Sequence, residues 1–138
     1  MEQTLAILKP DTVKQNAIGD VLNRIENDGL ELRTLKTLQL TEAQAEEFYA
    51  EHKGSEFFAG LVEFMTSGPV VAAVVEGEDA ISRLRSLMGA TDPDEAAPGT
   101  IRAELDGGLP NNIIHGSDSP ESAERELSFF FSEAERIL

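Results

Sequence analysis

The octapeptide Asn112-Ile113-Ile114-His115-Gly116-Ser117-Asp118-Ser119 sets a lone histidine at the end of an apolar dipeptide and follows it with a polar turn. Imidazole is the side chain whose neutral, nucleophilic form is well populated near pH 7, and a neighbouring hydrogen-bonding group fixes which ring nitrogen faces a substrate. Ser117, Asp118 and the downstream Glu126 are the candidates for that orienting role. By residue type alone, His115 would more often be a satisfied structural histidine, Arg85 and Arg102 surface charges, and Lys9 a snorkelling residue at the end of a strand. The chain contains neither G-x-x-x-x-G-K-[ST] nor G-x-G-x-x-G, so any phosphate site must be assembled from side chains.

The octapeptide closely resembles the active-site signature of nucleoside diphosphate kinases, enzymes that pass a γ-phosphate between nucleotides through a phosphohistidine. The likeness continues, in the family's order, through Thr4-Leu5-Ala6-Ile7-Leu8-Lys9-Pro10-Asp11, Phe48-Tyr49-Ala50-Glu51-His52-Lys53 and Glu63-Phe64-Met65-Thr66-Ser67-Gly68-Pro69-Val70. Leu87-Met88-Gly89-Ala90-Thr91 and Ala97-Pro98-Gly99-Thr100-Ile101-Arg102 extend it, so that it covers nearly the whole chain as one domain, residues 1–138. The segment Leu105-Asp106-Gly107-Gly108-Leu109-Pro110 departs from the family's usual wording, while the flanking Arg102 and Asn112 are intact.

The resemblance implies that His115 is phosphorylated by a triphosphate donor, typically ATP, and dephosphorylated by a diphosphate acceptor, so that one pocket serves both half-reactions. Phosphoryl transfer needs charge neutralisation, an in-line nucleophile and usually Mg²⁺. By the same likeness Arg85, Arg102 and Thr91 surround the phosphates, Lys9 and Asn112 contact the ribose 3′-hydroxyl, and Phe57 offers the base a flat apolar surface. Stacking on a face that all bases share implies broad base specificity. Tyr49, Ser117 and Glu126 would orient or support the histidine, with Glu126 fixing its tautomer. Mg²⁺ is expected to enter with the nucleotide, with Asp118 a possible ligand through water and no permanently bound metal. His52, among acidic and polar residues, reads as a solvent-facing or packing histidine. A domain of this fold that had lost transfer and kept a regulatory or scaffolding role is the rival reading.

The composition bounds the partners. There are 26 acidic against 11 basic residues, a net charge of −15, and no cysteine. Such a charge disfavours nucleic acid, which needs a basic face. The absence of cysteine excludes a disulfide framework and fits a reducing cytoplasm. No apolar run approaches the ~20 residues of a membrane span, so a membrane partner is not expected. The resemblance implies a homo-oligomer built from dimers, and the acidic tail 132–138 favours a tetramer over a hexamer through like-charge contacts. So negative a surface also suggests a protein from a salt-adapted, halophilic organism.

The elements that must position these residues follow from periodicity. Residues 4–8 read as a strand stopped by Lys9-Pro10 and leading into a turn. A helix is expected from Ile18 to the stop at Gly29, then a half-exposed strand, with room for an irregularity, over residues 30–39. Thr41-Glu42-Ala43-Gln44 has the form of a capping box opening a helix through Tyr49, with a second helical segment at 58–65. The β-branched run 70–75 suits a central strand covered on both faces. Residues 80–88 read as a helix, 92–112 as a loop without period, 113–115 as a short last strand, and Ser119-Pro120-Glu121 as the start of a helix reaching about Phe131. The order predicts an α/β chain of the α+β kind, a ferredoxin-like βαββαβ sandwich: a four-stranded antiparallel sheet with helices packed on one face and additional helices around it.

Overall fold

The computed structural model describes residues 1–92, 95–105 and 113–137. Four strands, β1 (Glu2–Leu8), β2 (Glu31–Leu38), β3 (Val70–Gly77) and β4 (Ile114–Gly116), form one sheet in the order β2-β3-β1-β4. Every neighbouring pair is antiparallel. The expected architecture is therefore the observed one, with β3 and β1 at the centre.

Alternation along the two central strands divides the core. Ala6 and Leu8 of β1 and Val71, Ala73 and Val75 of β3 point to one face, where α2 (Ile18–Asn27) and α5 (Ala80–Met88) supply Val21, Ile25, Leu84 and Met88. Leu5, Ile7, Val70, Ala72 and Val74 point to the other. There they meet Phe48 of α3 (Glu42–Phe48), Met65 of α4 (Phe58–Met65), and Leu127 and Phe130 of α7 (Pro120–Phe130). Helices thus cover both faces, correcting the expectation of one. The reason lies in β3 itself, whose six residues from Val70 to Val75 are all buried and leave no face for water.

Three short helices were not expected. Pro10 opens α1 (Pro10–Lys14) where a turn was read; a proline at the first helical position loses no hydrogen bond, and Asp11 lies in the first turn. Thr100 caps α6 (Ile101–Glu104) inside the stretch expected to be a loop, its side chain accepting from the Ala103 amide. Ser132 and Glu135 form a reciprocal capping box on α8 (Glu133–Arg136), in the tail read only as acidic. The Thr41–Gln44 capping box of α3 is present as expected, and the irregularity in β2 is a bulge between Leu32 and Thr34.

Two glycines let elements approach closely. A Cβ on Gly116 would lie 2.6 Å from Met88 Sδ of α5. Gly89, at φ +92°, ends α5, and a Cβ there would lie 2.6 Å from Thr100 Oγ1. Both contacts fix α5 against the strand and the helix that carry site residues.

Candidate active site

His115 sits in β4, paired with Ile7. The two-residue period turns its ring to the face opposite Ile114, toward the aromatic cluster. Phe48 meets it edge-on at 5.4 Å and also packs edge-on against Tyr49 at 4.9 Å. Phe48 is almost fully buried, so truncating it to alanine should cost roughly 3–5 kcal/mol and loosen the histidine's wall.

Behind the ring stands Glu126. It belongs to the buried stripe Ala123, Glu126, Leu127 and Phe130 of α7, spaced at three and four residues. Its Oε1 lies 2.8 Å from His115 Nε2 and also accepts from Ser117 Oγ at 2.7 Å. Arg125 Nη2 reaches its Oε2 at 3.4 Å. Burial opposes the Glu126 charge, but the hydrogen bonds from His115 and Ser117 outweigh it and hold the carboxyl below its ordinary range. An ionised carboxylate only accepts, so Nε2 carries the proton and Nδ1 keeps the lone pair.

The start of β4 is held from the other end of the chain. Ile113 is fully buried and has φ 71°, the left-handed region that a β-branched residue rarely adopts. Such a conformation costs on the order of 1–3 kcal/mol and persists only when its surroundings impose it. The Ile113 amide donates to Asp11 Oδ2 at 3.0 Å, and its carbonyl accepts from the Lys9 amide at 2.8 Å and from Thr12 Oγ1 at 2.7 Å.

Three cations share a cleft of about 700 Å³ with the histidine. Arg85 projects from α5 and donates to the Gly116 carbonyl at 3.0 Å. Arg102, on α6 and only 4% exposed, donates to the carbonyls of Gly89 at 3.1 Å and Ile114 at 2.6 Å. Lys9 follows β1 and is 6% exposed. Burial, then repulsion from Arg102, drives Lys9 down to about 7, although Asp11 works the other way. Arg102 is itself lowered to about 10 by burial and by Arg85.

Tyr49, Phe57 and Thr91 also line the cleft. Phe57 is 56% exposed at the start of α4, free to receive a flat ligand. Tyr49 is buried and its hydroxyl finds no hydrogen-bond partner among the described residues. Burial, with the Glu126 charge nearby, raises that phenol well above its ordinary value, so it remains a donor. Asp118 is exposed; the Ser122 hydroxyl, helped by the Arg85 charge, holds it below its ordinary value against the opposing effect of burial. Among the described residues no three His, Asp or Glu side chains converge on a common metal position.

Lys9, Tyr49, Phe57, Arg85, Thr91, Arg102 and His115 are thus brought to one cleft, with Ser117 and Glu126 against the histidine. Asn112 lies outside the described residues. His52 was missed. It lines the same cleft, its ring 5.2 Å from Phe57 and 6.2 Å from Tyr49. The three-residue step from Tyr49 to His52 was the available signal, carried by the short 3₁₀ turn Ala50–His52 that follows α3.

A sequence profile of nucleoside diphosphate kinases matches residues 2–136. The chain is 56% identical over 132 residues to the nucleoside diphosphate kinase of Wolinella succinogenes, covering 96% of each chain. It is also 56% identical over 131 residues to that of Rubrobacter xylanophilus, covering 95% of this chain and 98% of the relative. Among solved structures, the Aquifex aeolicus nucleoside diphosphate kinase superposes with a TM-score of 0.96 at 49% identity, over 99% of both chains. A halophilic nucleoside diphosphate kinase from Halobacterium salinarum, solved in complex with CDP, gives 0.94 at 48% identity, over 97% of this chain and 90% of that one. Identity of this order over nearly the full length goes far beyond shared architecture, and the chain belongs to the nucleoside diphosphate kinase family and is a phosphotransferase.

Proposed function

We propose that His115 Nδ1 takes the γ-phosphoryl group of a nucleoside triphosphate, typically ATP, and passes it to a nucleoside diphosphate. In the first half-reaction an N–P bond forms as the bond from the γ-phosphorus to the bridging oxygen breaks, and the diphosphate leaves. The second half-reaction reverses this with a different diphosphate, giving ping-pong kinetics. Glu126 keeps the proton on Nε2 throughout, so the attacking nitrogen needs no separate base.

Three cations crowded beside the histidine carry the proposal. Burial lowers the basicity of both Lys9 and Arg102, and Arg102 beside Lys9 and Arg85 beside Arg102 lower it further, an arrangement that an incoming polyphosphate relieves. Arg85, Arg102 and Thr91 would hold the phosphates, and the Tyr49 hydroxyl would donate to an oxygen of the moving group. Phe57 and His52 would bracket base and phosphates, while Lys9 and Asn112 would hold the ribose 3′-hydroxyl. A base that meets only the face of Phe57 is read weakly, which gives broad base specificity. Mg²⁺ bound to the phosphates supplies further charge neutralisation, and Asp118 would hold it through water.

With γ-labelled ATP and Mg²⁺, His115 should carry an acid-labile label that leaves as triphosphate when a diphosphate is added. His115→Ala should abolish turnover while nucleotide still binds. Stable label on serine, or turnover surviving in His115→Ala, would place the nucleophile elsewhere.

The absence of cysteine supports a cytoplasmic home. Homo-oligomerisation through a dimer is supported by edge strand β2, which leaves Leu35 48% exposed. A dimer-based tetramer remains favoured over a hexamer. In α8, however, Glu135 pairs with Lys36 and Arg136 with Glu124, so much of the tail's charge is used within the chain. Light scattering at micromolar concentration should give four times the chain mass; one or six times would refute it.

A further inference from the structure

We propose that Asp11 and Thr12 are positioning residues for the transfer reaction, acting through the backbone of Ile113 to set where His115 stands. The proposal rests on His115 as the nucleophile. Strand β4 has only three residues, paired with β1 from Ala6 to Leu8. So short a ladder leaves the strand's direction to whatever holds its ends. At its exit the Ser117 amide donates to the Leu5 carbonyl at 3.2 Å. At its entrance Ile113 is forced to φ 71°, and both of its peptide groups are held by the first turn of α1: Asp11 Oδ2 takes the amide, Thr12 Oγ1 and the Lys9 amide take the carbonyl.

Neither Asp11 nor Thr12 is among the residues lining the cleft, and both are buried. Their side chains are spent on Ile113: Thr12 commits its hydroxyl to the carbonyl and Asp11 its Oδ2 to the amide, while Asp11 Oδ1 finds no hydrogen-bond partner among the described residues. The next peptide is held as well, since Arg102 donates to the Ile114 carbonyl at 2.6 Å. The corner between β1 and α1 is therefore a template. The same corner delivers Lys9 to the cleft and the two side chains that fix the turn into the nucleophile strand. Lys9 and His115 are set by one rigid piece, and their separation follows from it.

Positioning of this kind affects the reacting geometry more than ground-state binding. Thr12→Val keeps shape and removes the hydroxyl hydrogen bond. It should lower kcat and the single-turnover rate of phosphohistidine formation about ten- to a hundredfold, with KM for ATP within about twofold. Thr12→Ser should restore the rate. Asp11→Asn, which keeps an acceptor for the Ile113 amide, should retain more activity than Asp11→Ala. Should Asp11→Ala fail to fold, the Thr12 pair still decides the matter. Wild-type kcat in Thr12→Val, or equal loss in Thr12→Ser and Thr12→Val, would overturn the proposal. Those outcomes are distinct from failure of the nucleophile assignment, which shows as turnover in His115→Ala.

Discussion

The carboxylate behind His115 and the cations that share its cleft, Lys9 and Arg102 buried and Arg85 exposed, are satisfied in opposite ways. Glu126 has its partners inside the protein: His115 and Ser117 bond Oε1, Arg125 reaches Oε2, and its pKa falls below the ordinary range. Arg85 and Arg102 lean on backbone carbonyls, and Arg102 and Lys9 lose basicity to burial and to neighbouring cations. The carboxylate is held by opposite charge and donors of the protein's own, whereas the cations gather like charge that a polyanion offsets, which is how a chain of net charge −15 can still attract nucleotide.

The sharpest break in that contrast is removal of a cation. Arg102→Ala should lower kcat/KM for transfer about 10²- to 10³-fold, because it takes away two anchored donors where charge develops. Arg102→Lys should recover little, since an ammonium cannot span the carbonyls of Gly89 and Ile114. Steady-state kinetics measure both.

On the carboxylate side the effect should be smaller and of another kind. Glu126→Gln should reduce kcat about 10- to 100-fold with KM little changed, since an amide no longer enforces the proton on Nε2. A KM change larger than the kcat change would mean that Glu126 also serves binding.

Gly116→Ala tests whether α5 must lie close to β4. The added methyl meets Met88 Sδ and Leu84, and such overpacking typically costs about 1–3 kcal/mol, measured by denaturant unfolding. Displacing α5 should also weaken nucleotide binding through Arg85.

Protons offer a milder probe. With Lys9 at about 7 in the free protein against an ordinary 10.5, the folded state holds fewer protons than the unfolded chain between those values. Stability from this group therefore rises with pH across that window. A bound polyphosphate pulls the lysine back to its charged form, so nucleotide binding at pH 8 should take up protons and weaken as pH rises. Calorimetry in two buffers of different ionisation enthalpy reads that uptake directly, and its absence would place Lys9 outside the charge balance of the site.

The weakest expected effect concerns the surface outside the cleft. Screening shortens to ~3 Å at 1 M salt from ~8 Å at 0.15 M, so Tm should rise by about 5 °C between low salt and 1 M NaCl if acidic self-repulsion limits stability. A fall would mean that surface pairs such as Arg24 with Glu104 and Arg136 with Glu124 dominate instead.

Much of this was legible in the order of residues, for physical reasons. The β-branched run of β3 has no polar alternation because both its faces are covered, and that run already contradicted a sheet with helices on one side. His115 and the cations were legible through their motifs, since composition alone would leave each a common surface or core residue. Helix α1 was hidden because five residues cannot display a period, and Lys9-Pro10 ends a strand as plausibly as it begins a helix. His52 was hidden for a similar reason: its neighbours in sequence are acidic and polar, and its neighbours in space, Tyr49 and Phe57, are brought to it by a 3₁₀ turn.

The pairing of β4 with β1 also sets a timetable for synthesis. Thr12 and Ile113, joined by one hydrogen bond, lie 101 residues apart, and the ribosome makes β1 long before its partner. Domains fold as the chain emerges, so β1 can gain β3 on one edge while the edge that will receive His115 stays open. Closing so long a loop costs little more than closing a shorter one, and the delay is one of order. Arg85 and Arg102 are synthesised before β4, but the Gly116 and Ile114 carbonyls that anchor them arrive only with that strand, and the Glu126 carboxylate follows on α7. The cleft therefore has no early, partial form: its arginines and its histidine are set together, when the last strand docks.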